Sequence, residues 1–197
     1  AFLSGPGLSA SNNLALGPSR TRSGGPLVAN DMHLGLRAPA VWYVMGLRAE
    51  EGLTAAGLTL PGAPGVVVGF TPGVAWSFTN AMVDDVDFAV ETVNLDGSAY
   101  RTADGWRDFA VRPETIRVRG REEPVVHRVR ETVRGPVLSD VLPDLGATLS
   151  TAWTGARPTT EVRGLLAMNR ARDAEAFARA VEAFDLPQQN VVYATAG

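Results

Sequence analysis

The 197-residue chain contains no cysteine. That excludes disulfides, thiolate metal sites and cysteine nucleophiles together, and it leaves the compartment open. Long apolar runs are missing too: nothing approaches the ~18 residues a transmembrane helix needs, and no basic segment followed by an apolar core marks a signal peptide. Nor is there an excess of one charge. The 18 basic and 21 acidic residues leave a net charge of -3, and the basic residues that do gather, from Arg117 to Arg134, interleave with acids and β-branched residues. That pattern belongs to the solvent face of strands rather than to a nucleic-acid surface. Histidine is scarce, with two in the chain. What remains is the composition of an ordinary globular protein, 45% apolar and 20% charged, neither disordered, collagenous nor membrane-spanning.

Between Pro26 and Asn80 short apolar runs alternate with Gly and Pro: Pro26 to Ala29, Val41 to Leu47, Leu53 to Leu60, Val66 to Phe70 and Val74 to Phe78. Runs of this length bounded by turn residues predict strands of a buried sheet. Phe88 to Leu95 continues the pattern and ends at Asn94-Leu95-Asp96-Gly97, a hairpin-type turn signal. From Arg112 to Val137 the alternation of Ile116 and Val118, then Val125, Val126 and Val129, predicts a two-stranded excursion with one wet face. Beyond Arg157-Pro158 the period changes. Thr159 and Thr160 ahead of Glu161, with Val162, Leu165, Leu166 and Asn169, predict a helix starting at a threonine cap. Asp173 caps a second, with Ala174, Phe177, Ala178, Val181 and Phe184 on one stripe. Pro187 blocks its continuation, and Val191-Val192-Tyr193 begins another strand. Strands, two helices and a return to strand predict an α+β layered domain, with no internal repeat and no linker long enough to split it. Ending at Gly197, one strand-length after Pro187, predicts a piece of a longer protein.

Chemistry enters at Ser11-Asn12-Asn13, behind the small-residue leader Ala1 to Ala10. A serine hydroxyl is a poor nucleophile at neutral pH and needs a base within hydrogen-bond reach. An α-amine, with an unperturbed pKa of about 7.7 to 8.0, sits close to working pH, so a terminal serine carries its own base. Taken alone, the tripeptide reads as a loop serine or a helix cap. Seven segments in order change the reading: Ser11-Asn12-Asn13; Asn30-Asp31-Met32-His33-Leu34; Leu60-Pro61-Gly62; Ala75-Trp76-Ser77-Phe78-Thr79-Asn80; Asp84-Asp85-Val86-Asp87; Arg134-Gly135-Pro136-Val137; and Gln189-Asn190-Val191-Val192-Tyr193-Ala194. Together they resemble the beginning of the β-chain of the penicillin acylase family, which belongs to the N-terminal nucleophile hydrolases.

The resemblance implies an αββα four-layer sandwich, here partial, with residues 1–10 as the end of an excised spacer and 11–197 as the first part of the β-chain. It implies hydrolysis of an N-acyl amide through an acyl-enzyme on Ser11, after self-cleavage of the Ala10-Ser11 bond. Substrates in keeping with it are a penicillin-like side-chain amide, an acyl-homoserine lactone or another acylated amine. His33 would orient or polarise the hydroxyl, while His127, in the charged alternating segment, reads as structural. The backbone N–H of Asn80 and the side-chain amide of Asn190 would receive the oxyanion. Leu34, Val67, Val68 and Phe70 would line an apolar acyl pocket, with Trp153 a further contributor; core packing is the competing reading for the aliphatic three. No cofactor is required for the chemistry. Asp84, the carbonyl of Val86 and Asp87 match ligands of a structural calcium in relatives, whose other ligands lie outside this chain. Implied partners are the α-chain, the rest of the β-chain and a small N-acyl substrate, with no nucleic acid and no membrane. The implied location is periplasmic or secreted. With Ala1 to Ala10 attached, the piece is expected to be inactive alone. Departures from the family pattern are Ala10 where glycine usually precedes the serine, and Leu14 where tryptophan is common. The rival class is a non-catalytic β-rich binding or structural module on the same scaffold.

Overall fold

The computed structural model describes residues 10–35, 37–50 and 52–195. In chain order its first strands are β1 (Ala10–Leu16), β2 (Leu27–His33), β3 (Tyr43–Arg48), β4 (Thr54–Thr59), β5 (Val68–Phe70) and β6 (Val74–Asn80). Next come β7 (Val86–Val90), β8 (Ala99–Thr102), β9 (Gly105–Asp108), β10 (Ala110–Ile116), β11 (Val125–Glu131) and β12 (Leu149–Trp153). Helices α1 (Glu161–Met168) and α2 (Ala174–Val181) precede β13 (Gln189–Thr195). The composition of elements is α+β, mostly strand. Residues 1–9 of the expected spacer lie outside the described residues, and Ala10 opens β1.

Where the sequence predicts one undivided domain, the described residues fall into two compact units: one up to Val83 and from Pro158 onward, the other Asp84–Arg157. The reason is local: the strands of 84–157 pair with one another, so their contacts are internal to that stretch.

In the first unit an antiparallel sheet runs in the order β13-β6-β5-β4-β3. Four of the five Gly/Pro-punctuated runs became its strands β3 to β6, as their pattern predicts, whereas Pro26 to Ala29 leads into β2, which pairs with β1 in a separate two-stranded sheet. Two glycines let β4 and β5 close: Gly57, at φ +155°, lies opposite Gly69, and a Cβ on either would run into the backbone of the other strand. Helices α1 and α2 lie on this sheet. Phe177 of α2 is fully buried, its ring centroid 5.6 Å from Trp76 and 5.0 Å from Tyr193, and Met168, Val66 and Val74 complete the centre of the core. Asp173 caps α2 as its sequence predicts, accepting from the Ala176 N–H at 2.7 Å. Thr160 stands at the N-cap of α1, but its hydroxyl donates to the Ala183 carbonyl at 2.8 Å instead of capping. Asn169, 1% exposed, stitches the end of α1 to the loop before β5: it accepts from the Val66 N–H and donates to the Val66 and Leu165 carbonyls, all at 2.8 to 2.9 Å.

Sequence pattern missed β1, β8, β9 and β12, and of these β1 bears on the site. It pairs antiparallel with β2 in the register Ala10↔His33, Ser11↔Met32, Asn12↔Asp31, Asn13↔Asn30.

The second unit is built from three two-stranded pairs, β7 with β12, β8 with β9, and β10 with β11. The predicted two-stranded excursion is the pair β10/β11, in which His127 faces Glu114 across the ladder, and the Asn94 to Gly97 turn closes with a Gly97 N–H to Asn94 carbonyl bond of 3.1 Å. A small core joins Tyr100, Phe109 and Val137. Arg130 lies over the Phe109 ring at 4.6 Å, and its hydrogen bond to Asp140 raises its already high pKa. Glu91 and Ser150 are buried, and the Glu91 carboxylate accepts from the Ser150 hydroxyl and from the exposed Arg134. Gly135, at φ +145°, is required in the Arg134-Gly135-Pro136 turn because a Cβ would strike the Thr151 carbonyl.

Candidate active site

The first unit holds a cleft of about 420 Å³ that Ser11 lines. Residues opposite each other in an antiparallel ladder share a face, so the Ser11↔Met32 pairing puts both side chains on the inner side of β1/β2. Both line the cleft. The same alternation puts Phe78 and Asn80 on one face of β6, and the pairing Gln189↔Asn80 puts Gln189 beside them. All three line the cleft as well. Apart from Glu161, its floor and walls are otherwise apolar, among them Leu34, Val41, Trp42, Val67 and Phe184.

Side-chain amides hold the strand of Ser11 against the sheet. Asn30 donates to the Asn12 carbonyl at 2.9 Å and to the Phe78 carbonyl at 3.0 Å, and accepts from the Phe78 N–H at 3.3 Å. It therefore ties β1 to β6 across β2. Asn13 donates to the Asn190 carbonyl at 3.2 Å, which ties β1 to β13. Trp76 donates its indole N–H to the Val67 carbonyl at 2.7 Å and so fixes the backbone of a wall residue. Glu161 is the charged member of the lining. Its carboxylate accepts from the Leu186 N–H at 3.0 Å and from the Thr159 hydroxyl at 2.5 Å. Burial pushes this group up, but the hydrogen bonds from Thr159 and from the backbone of Glu161, Leu186 and Asp185 outweigh burial and hold it below the usual glutamate value.

Of the residues singled out by sequence, the structure brings Ser11, Leu34, Val67 and Asn80 to this cleft. It does not bring His33 there. His33 pairs with Ala10, one step out of phase with Ser11, and its Nε2 lies 2.8 Å from Asp31 Oδ2 on the outer face of β2. Asn190 stands opposite Thr79, on the face away from the cleft; its amide donates to the Thr79 hydroxyl at 3.3 Å and to the Asn80 carbonyl at 3.4 Å. Val68 is packed in the core, and Phe70 is 56% exposed at the far end of β5. Trp153 ends β12 in the second unit. Met32, Trp42, Glu161, Phe184 and Gln189 reach the cleft without having been singled out. Met32 and Gln189 sit inside quoted motifs, but only the strand register shows which way they point.

The acidic stretch also lies in the second unit, with Val86 paired to Trp153 and Asp87 to Ala152. Calcium takes about six to eight oxygen ligands, and among the described residues no group of three or more His, Cys, Asp or Glu comes together. Asp84, Asp87 and the Val86 carbonyl do not by themselves fit such an ion. Among the described residues no helix is long and apolar enough to cross a membrane.

A sequence model of the penicillin amidase family matches residues 3–197. The chain is 40% identical over 144 residues to the acyl-homoserine lactone acylase QuiP of Pseudomonas aeruginosa, a match covering 72% of this chain and 17% of that protein. It is 32% identical over 160 residues to the penicillin G acylase of Escherichia coli, covering 80% of this chain and 18% of that protein. A solved structure of thermostable penicillin G acylase from Alcaligenes faecalis matches with a TM-score of 0.76 at 29% identity, over 93% of this chain and 33% of that one. The chain spans about a sixth of the length of the curated relatives it matches.

Proposed function

The chain belongs to the penicillin amidase family, and on that premise we propose that the intact protein hydrolyses the amide bond of N-acyl compounds with Ser11 as nucleophile. The observation that carries the reading is the position of Ser11: the residue matching the family's nucleophile stands at the wall of an apolar cleft of about 420 Å³, with Asn80 on the same cleft. A cleft of that size and lining suits an aliphatic or aromatic acyl group. The substrate classes named by the relatives, an acyl-homoserine lactone or a penicillin side-chain amide, both present one.

The Ser11 Oγ attacks the acyl carbonyl carbon while its proton passes to the Ser11 α-amine, directly or through a water. The backbone N–H of Asn80 receives the developing oxyanion, with Asn190 bracing that segment through the Asn80 carbonyl. The C–N bond then breaks as the amine's proton goes to the leaving nitrogen, and the acyl group stays on Oγ as an ester. Water, deprotonated by the same α-amine, hydrolyses the ester and restores the hydroxyl. Because this base is an α-amine, it exists only after the Ala10-Ser11 bond is cut. We assign that cut to Ser11 itself: Oγ attacks the Ala10 carbonyl, the acyl group shifts from nitrogen to oxygen, and water hydrolyses the resulting ester. While Ala10 remains attached, Ser11 has no free amine and the chain is inactive. Residues 1–10 then count as the end of the spacer and 11–197 as the start of the β-chain.

In the intact protein we place the sheets in an αββα sandwich, completed by an α-chain and the rest of the β-chain, in a periplasmic or secreted enzyme. A calcium ion would be structural there, draw its further ligands from the rest of the protein, and take no part in the steps above.

The test compares the full-length protein with its Ser11→Ala variant by intact mass and by amine release from acyl-homoserine lactones of graded length and from penicillin G. Cleavage at Ala10-Ser11 and amine release in the parent alone are expected. Cutting at that bond or amine release in Ser11→Ala overturns the mechanism, and a parent that does neither leaves the scaffold as a non-catalytic module.

A further inference from the structure

At the polar end of the cleft, Asn80 and Gln189 face each other across the β6/β13 ladder. Gln189 Nε2 lies 3.2 Å from the Pro187 carbonyl and 3.0 Å from Asn80 Oδ1. A backbone carbonyl can only accept, so the Gln189 atom facing Pro187 must be the amide nitrogen. With one N–H on Pro187, the other is free for Asn80, which must then present its oxygen. That settles the orientation of a second amide: Asn80 turns Oδ1 to Gln189 and keeps Nδ2 away from it. Among the described residues, Asn80 Nδ2 makes no hydrogen bond, although the side chain lines the same cleft as Ser11.

We propose that Asn80 acts through its side chain as well as its backbone, with Nδ2, set by Gln189, donating to the oxyanion that forms on the carbonyl attacked by Ser11. This rests on the reading of Ser11 as an acyl-transfer nucleophile and adds to it a donor that the backbone alone does not supply. The physical case is pre-organisation. An amide whose oxygen is already engaged has one low-energy orientation, so its N–H groups are aimed before the charge appears and do not reorganise as it does. Asn80 is the catalytic residue in this assignment and Gln189 its positioning residue. Asn190, on the opposite face of the ladder, donates to the Thr79 hydroxyl and to the Asn80 carbonyl.

The backbone N–H survives any substitution except proline, so Asn80→Ala separates the two contributions. In the full-length matured protein, Asn80→Ala is expected to lower kcat on the order of 100-fold with KM within about twofold, the loss typical of one oxyanion donor. Asn80→Asp keeps an acceptor for Gln189 but puts an oxygen where Nδ2 was, and is expected to lose as much. Gln189→Ala frees the Asn80 amide to rotate and is expected to cost an intermediate factor, again in kcat. A tetrahedral phosphonate analogue of the substrate reports the same contact without turnover: its affinity should fall in Asn80→Ala by the factor lost in kcat/KM. Should Asn80→Ala fail to fold, the near-isosteric Asn80→Asp carries the test. Asn80→Ala with kcat within threefold of the parent, or losing turnover with unchanged phosphonate affinity, overturns the proposal while the Ser11 reading stands. A parent without Ser11-dependent amine release takes both down.

Discussion

Asn30 touches no substrate in this arrangement, yet it decides where Ser11 stands. One amide makes three bonds, to the Asn12 carbonyl and to both backbone groups of Phe78, so β1 is indexed to β6 at the residue next to the nucleophile. Asn30→Ala removes those bonds and leaves a half-buried Phe78 N–H and two carbonyls short of partners. The cost of orphaned buried polar groups is about 1 to 3 kcal/mol, and the expected result is a fall of that size in urea-unfolding free energy. In the full-length protein the same variant should slow cleavage at Ala10-Ser11, read by intact mass against time. Asn30→Asp keeps the acceptor for the Phe78 N–H but loses both donors, and should fall between the two; a variant as stable as the parent would show that the strands hold Ser11 without this amide. Sequence alone placed Asn30 in a motif and attached the chemistry to His33 three positions on. The period of two explains why: Ser11 lies opposite Met32, so His33 points to the other face. A one-residue register difference would reverse the assignment, and nothing in the sequence sets that register.

At the scale of elements, the legible parts were those whose burial imposes a pattern. The strands of the five-stranded sheet follow their Gly and Pro punctuation, and α2 starts at Asp173 with Phe177 turned to the core, because a cap and an apolar stripe are local signals. β1 was not legible, since Ser11, Asn12 and Asn13 spell a loop by propensity and are held extended by bonds to residues up to 177 positions away. The start of α1 was half legible: Thr160 was expected to cap it, but Thr160 and Glu161 instead grip the 183–186 segment that leads to Phe184, Pro187 and β13. That grip has a pH signature. The Glu161 carboxyl lies below its ordinary value in the folded state, so in acid the unfolded chain binds its proton first and stability rises with pH across that interval. The contribution is present in full above the ordinary glutamate value and is lost as pH falls through the lowered folded value. Urea midpoints measured from neutrality into the acid range should therefore decline less steeply in Glu161→Gln, which keeps an acceptor for Leu186 but has no charge to lose. Parallel slopes in the two proteins would exclude the carboxylate as the source.

For the molecule as a whole, the question raised by two compact units is whether they are also two cooperative ones. The sequence offered no linker, and the division follows instead from which strands close on themselves between Asp84 and Arg157. The second unit has its own critical interaction in Glu91, whose side chain is 2% exposed and accepts from Arg134 at 2.9 Å on both oxygens and from Ser150 at 2.5 Å. A buried carboxylate is tolerated only while its partners remain, and removing the half-exposed cation leaves its charge held, among the described residues, by Ser150 alone. Arg134→Ala is therefore expected to strip protection from amides in 84–157, above all in β7 and β12, which flank Glu91 and carry Ser150. Elements that open as separate cooperative units show separate exchange, so peptides from β1 to β6 and from α1 to β13 should keep their parent rates in hydrogen-exchange mass spectrometry. Arg134→Lys, which keeps a cation on a shorter and more strongly hydrated side chain, should lose part of the protection. Loss spread evenly over the whole chain would mean that the two compact units unfold as one, and unchanged exchange in 84–157 would mean that Glu91 is held without Arg134.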